Sequence, residues 1–118
     1  MSRWVIEVDL VEKWFLGLDP GSQQQVAAAL DMLGEEGPQL GRPVVDTVSC
    51  SRFRNMKELR PGSTGRSEIR ILFAFDPRRH AILLIAGDKS GEGVKWYDKN
   101  IPRADALWQE HLDRLRRP

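Results

Sequence analysis

Two strongly apolar runs, residues 68–75 and 80–86, are joined by only Asp76-Pro77-Arg78-Arg79, and so short a link makes them an antiparallel β-hairpin. In the first run Ile69, Ile71, Phe73 and Phe75 recur with period two and Arg70 points the other way. The second run, His80-Ala81-Ile82-Leu83-Leu84-Ile85-Ala86, is apolar on both faces, so it must be a central strand covered on both sides.

The rest of the chain supplies that cover. Residues 4–8 read as a first strand, with Trp4, Ile6 and Val8 on one side. Asp9 stands three residues before Glu12, a helix-start signature, and Val11, Trp14, Phe15 and Leu18 follow as an amphipathic stripe that stops at Asp19-Pro20-Gly21. Ser22-Gln23-Gln24-Gln25 fits a capping box for a second helix, which carries Val26, Ala29, Leu30 and Leu33 and runs to about Gly34. Residues 39–51 have no sustained period and read as a surface connection. Residues 53–60 form a strand candidate, and Pro61-Gly62-Ser63-Thr64-Gly65 a turn.

After the hairpin comes a polar, glycine-rich loop over residues 87–93. Trp96 and Tyr97 then precede a last helix, with Pro102 in its first turn and Ala104, Leu107, Trp108, His111, Leu112 and Leu115 on one stripe. The expected architecture is a single α+β domain over residues 1–118, with a small, mostly antiparallel sheet in β-α-α-β-β-β-α order and helices packed on one face.

Length and composition exclude several functions. A chain of 118 residues is too short for separate cofactor and substrate domains. One cysteine, Cys50, rules out a disulfide framework, and the distant His80 and His111 suit no zinc spacing, so neither metal nor cofactor is expected. No apolar run is long enough to span a membrane and residues 1–10 do not resemble a signal peptide, which makes a cytoplasmic location the default. Charge is uneven: residues 1–50 balance at −5 and residues 51–118 at +6. A basic half of this kind suits a polyanion as well as a solvated face.

The usual catalytic motifs are missing. There is no nucleophile elbow, P-loop or zincin helix. Cys50, His80 and His111 read as structural, and the glycine-rich loop as a plain turn. What remains is a set of cations on neighbouring strands: Lys57 and Arg60, then Arg70, then Lys89. Outward residues of adjacent antiparallel strands lie within about 5–8 Å, close enough for one phosphate site. Lys57 and Arg60 point to opposite faces of a regular strand, and Glu58, on the side of Arg60, offers an ordinary ion pair as the alternative.

Four blocks, Asn55-Met56-Lys57-Glu58-Leu59-Arg60, Ile69 to Pro77, Leu84-Ile85-Ala86-Gly87-Asp88-Lys89, and Trp96-Tyr97 before Ile101-Pro102-Arg103-Ala104, resemble the phage-derived, HigB-like branch of the RelE/ParE toxin superfamily. Gly37-Pro38-Gln39-Leu40-Gly41-Arg42-Pro43 is similar to that branch too. The resemblance implies a type II toxin, a metal-free, ribosome-dependent mRNA endoribonuclease in which the 2′-hydroxyl attacks the adjacent phosphate. It implies Arg70 against the scissile phosphate and Lys89 as a second phosphate contact or leaving-group donor. Lys57 and Arg60 would line the site, Lys57 or Glu58 would accept the proton, and Tyr97 would stack or hydrogen-bond with RNA. It further implies a cognate helix-turn-helix antitoxin of HigA type, with ribosome and mRNA as the other partners. A ParE-like toxin that binds a topoisomerase, or an inactive antitoxin-binding relative, are the alternatives on the same fold.

Overall fold

The computed structural model describes residues 3–117. Its elements are β1 (Val5–Glu7), α1 (Glu12–Leu16), α2 (Pro20–Glu36), a 3-10 turn (Gly37–Gln39), β2 (Val45–Thr47), β3 (Lys57–Leu59), β4 (Ile69–Phe75), β5 (His80–Asp88) and α3 (Val94–Arg116). The sheet order is β1-β5-β4-β3-β2; β1 runs parallel to β5 and every other pairing is antiparallel. The α+β class and the mostly antiparallel sheet are as the sequence indicated.

The helices, however, divide between the two faces of the sheet instead of sharing one. Ile69, Ile71 and Phe73 of β4 and Ala81 and Leu83 of β5 pack with α1 and α2, whereas Leu72, Ala74, Ile82 and Leu84 pack with Trp96, Ile101, Ala104 and Trp108 of α3. Strands apolar on both sides demand this: the hydrophobic effect leaves neither face of β4 or β5 in water.

Four local readings also change. The link over residues 39–51 contains a strand, β2, because Val45 reaches the core beside Leu59. The strand expected over residues 53–60 shrinks to Lys57–Leu59. Helix α1 begins at Glu12 after Val11, with no side-chain cap, so Asp9 does not start it. In α2 Asp19 is the cap, its carboxylate accepting from the Ser22 amide at 3.1 Å, and the Ser22 hydroxyl instead meets Thr64 Oγ1 at 3.2 Å.

The last difference bears on the site. Pro102 lies inside α3, which starts eight residues earlier at Val94, so Trp96 and Tyr97 are helical. A proline there removes one amide donor. A buried stripe of Trp96, Asn100, Ile101, Ala104, Asp105, Trp108 and His111 outweighs that loss, and Asn100 Nδ2 donates to the Trp96 carbonyl at 2.9 Å.

Candidate functional site

Strand register assembles the site before any side chain is considered. Asp46 lies opposite Glu58, Glu58 opposite Leu72, and Arg70 two residues further along β4, so Asp46, Glu58 and Arg70 share the face that α3 covers. A break in the β4–β5 ladder adds the next cation. Leu72 pairs with Ile85 but Phe73 with Leu83, which leaves Leu84 as an extra residue and turns the rest of β5 over. Gly87, paired with Arg70, consequently faces α3. A Cβ at Gly87 would stand 2.8 Å from Trp96 Nε1, so only glycine lets the helix approach this closely.

Tyr97, in the first turns of α3, is the hub. Its phenol lies against Glu58 and Arg70, and its pKa is raised, first by burial and then by Glu58, with Arg70 pulling the other way. The Lys89 ammonium stands 6.0 Å from the centre of the Tyr97 ring. Arg70 and Lys89 therefore converge on one tyrosine from separate strands. Lys89 Nζ also donates to Glu68 Oε1 at 3.2 Å, a pair whose carboxylate is half exposed and which an incoming phosphate can displace.

Glu58 is almost wholly buried, with 5% of its side chain exposed. One oxygen takes Arg60 Nε at 2.8 Å and Nη2 at 2.6 Å, while the other completes no hydrogen bond among the described residues, although the Tyr97 phenol lies close enough to feel the carboxylate. Arg70 donates through Nη1 to the Ile69 carbonyl at 2.8 Å, and its buried Nε is likewise unpartnered. Burial works against the charge on Arg60, but Glu58 and Asp46 outweigh it and raise its pKa, so Arg60 stays cationic. Buried polar atoms without partners are costly, and here two belong to opposite charges at one site. Beside them opens a cleft of about 390 Å³ lined by Asp46, Glu58, Arg60, Val94, Tyr97 and Ile101.

Of the residues singled out from the sequence, Glu58, Arg60, Arg70, Lys89 and Tyr97 come together. Lys57 does not. It pairs with Phe73 in the α1/α2 layer and donates to Thr47 Oγ1 at 3.1 Å, so period two carries it to the other face. Asp46 was missed because β2 is three residues long and was hidden in a connection. Its only signal was the alternation Val45-Asp46-Thr47.

A second polar centre forms at the hairpin turn. Asp76 Oδ2 lies 2.9 Å from His111 Nε2 and 2.9 Å from Arg78 Nη2, and Oδ1 accepts the backbone amides of Arg78 and His80. Burial favours the neutral acid, but His111 and Arg78 overcome it and lower the pKa of Asp76. Ligand atoms of Glu7, Asp76 and His111 lie within 4.8 Å of one another. Arg78 already occupies that space as a cation, 2.9 Å from Asp76 and 3.9 Å from Glu7, which disfavours a metal ion. Cys50 is exposed. No helix among the described residues is long and apolar enough to cross a membrane.

The sequence matches a defined family. The model of the family described as phage derived protein Gp49-like (DUF891) matches residues 13–109, and the chain belongs to that family. Two proteins of Mycobacterium tuberculosis are similar to it. The chain is 56% identical over 109 residues to one named "Putative toxin HigB2", covering 92% of this chain and 54% of that protein. It is 57% identical over 101 residues to one named "Putative toxin HigB3", covering 86% of each. The chain thus spans about half the length of the first relative and most of the second.

Proposed function

We propose that the chain is the toxin of a type II toxin–antitoxin pair, of RelE/ParE type, and that it cleaves mRNA on the ribosome without a metal. The names of the two relatives support the toxin reading. The observation that carries the nuclease reading is the convergence of Arg70 and Lys89 on Tyr97, beside a buried Glu58 with one unpartnered oxygen.

In this reading the RNA 2′-hydroxyl gives its proton to Glu58 and attacks the adjacent phosphorus. Arg70 and Lys89 offset the charge gathering on the phosphoryl oxygens. The P–O5′ bond breaks, and the leaving oxygen takes a proton from Tyr97, whose phenol is protonated at neutral pH. The products are a 2′,3′-cyclic phosphate and a 5′-hydroxyl, and the proton held by Glu58 returns to the Tyr97 phenolate beside it, so atoms and protons balance without water. Lys57 has no part. A cognate antitoxin, expected to be a helix-turn-helix protein, silences the activity.

Expression in a bacterium with and without the neighbouring antitoxin gene, followed by mapping of mRNA 5′ ends, tests this. The expected result is growth arrest with new 5′-hydroxyl ends on translated messages, relieved by the antitoxin. Arrest with intact mRNA and a DNA-damage response would replace the nuclease by a topoisomerase inhibitor.

A further inference from the structure

We propose that the cleft between β2, β3 and the start of α3 is a guanine pocket for the nucleotide on the 5′ side of the cut. The inference rests on the nuclease reading and adds the base that the site selects.

The cleft, about 390 Å³, is large enough for a purine. Its walls are the Tyr97 ring and the apolar side chains of Val94 and Ile101, surfaces on which a base can stack. Its polar edge holds one carboxylate and one guanidinium: Arg60 Nη2 donates to Asp46 Oδ2 at 3.3 Å, a pair with 35% and 33% of the two side chains exposed, so a base edge entering the cleft has to exchange for this contact. Arg60 is held on its inner side, where Nε and Nη2 meet the buried Glu58, which leaves Nη1 to donate outward.

A neighbouring acceptor and donor set of this kind matches one base better than the others. Guanine offers O6 and N7 to an arginine and the N1–H and N2–H pair to a carboxylate. Adenine places an amino group where O6 would meet the guanidinium. Uracil has a single N–H for the carboxylate, and cytosine repeats the adenine conflict. A base that parts Arg60 from Asp46 and answers only one of them leaves the other without its partner, and that creates the discrimination.

Polarity along the RNA follows from Glu58. It lines the same cleft with a buried, unpartnered oxygen. The ribose whose 2′-hydroxyl meets that oxygen carries its own base into the cleft, while its 3′-phosphate passes Tyr97 toward Arg70 and Lys89. The guanine therefore precedes the broken linkage, and the product ends in guanosine 2′,3′-cyclic phosphate.

Guanosine 3′-monophosphate reproduces the base, ribose and phosphate of this pose, so its binding is measured calorimetrically against the adenosine, uridine and cytidine 3′-monophosphates. We expect a preference of about 10-fold or more for guanosine, lost in Asp46→Asn, a substitution of nearly equal size. Exposed Cys50 lines the cleft as well, so the same nucleotide should slow its reaction with a maleimide in the unaltered chain. Equal binding of the four nucleotides, or a preference untouched by Asp46→Asn in a protein of unchanged melting temperature, overturns the pocket. Mapped RNA ends separate the two levels. Cleavage with no guanine preference 5′ to the cut removes the pocket and keeps the nuclease, whereas selective guanosine binding without any RNA cleavage keeps the pocket and removes the nuclease.

Discussion

The β4–β5 hairpin gathers a buried carboxylate, an arginine and an α3 side chain at each of its ends, yet the two ends are finished differently. At the turn, the Asp76 carboxylate receives five hydrogen bonds from the described residues Arg78, His80 and His111, and both of its oxygens are satisfied. At the open end, Glu58 is satisfied on one oxygen only, Arg70 keeps an unpartnered Nε, and a cleft opens alongside. A carboxylate satisfied on both oxygens holds elements together, and the one buried side-chain atom among the described residues of the turn that completes no hydrogen bond, His80 Nδ1, still stands 3.2 Å from the Glu7 carboxylate. An unsaturated one carries an unmet demand that a ligand can fill. The same three kinds of group thus serve as a rivet at one end and as a candidate reaction centre at the other.

Arg70→Ala puts the contrast under its hardest test. Removal of a cation that meets charge developing in the transition state costs on the order of 10²–10³ in rate. RNA cleavage and toxicity should fall by that factor while the thermal unfolding profile stays near that of the unaltered protein. Full toxicity in a folded Arg70→Ala protein would take the residue out of the mechanism.

Asp76→Ala should do the reverse. Breaking a buried pair typically costs about 3–5 kcal/mol, because the groups left behind are uncompensated. Denaturant titration should show that loss, with cleavage per folded molecule retained. If this variant cuts RNA poorly while fully folded, the turn is more than a rivet.

Acid sharpens the assignment further. The pKa of Asp76 is lowered in the folded state, so as pH falls the unfolded chain binds its proton first, and the stabilisation is complete only above the ordinary carboxylate range. It is lost as pH falls from there through the lower, folded-state value. The gap in melting temperature between the unaltered protein and Asp76→Asn should therefore be constant above about pH 5 and close progressively below about pH 4. A gap that persists undiminished at pH 2 would mean that the carboxylate charge does not hold the network together.

Much of this molecule could be read without coordinates where periodicity is strong. The alternation Ile69-Arg70-Ile71 put Arg70 on the face opposite Ile69 and Ile71, and the two-sided apolarity of residues 80–86 demanded a central strand. Reading failed where a local signal is true but outvoted. Pro102 is a genuine helix starter by residue preference, yet the buried stripe from Trp96 to His111 carries the helix through it. Reading also failed where no residue type announces the event. Nothing in Leu83-Leu84-Ile85 marks the bulge, and without it a strict period of two would turn Gly87 away from α3. Strand β2 was too short to register, and Asp46 stayed hidden with it.

Lys57→Ala is the smallest of the expected changes and the most informative about faces. The resemblance that points first to Arg70 also places Lys57 in the site, whereas the register places Lys57 opposite Phe73, across the sheet from Tyr97. Its ammonium is bound to Thr47 at the surface, and an exposed contact of this kind contributes little to stability. Cleavage rate and unfolding midpoint should both stay within about 2-fold and about 0.5 kcal/mol of the unaltered protein. Glu58→Gln, one residue along the strand and on the other face, should by contrast lose about 10²-fold in cleavage through loss of the proton acceptor. Were the two variants to trade places, with Lys57→Ala inactive and Glu58→Gln active, the reaction would have to occur on the α1/α2 side of the sheet.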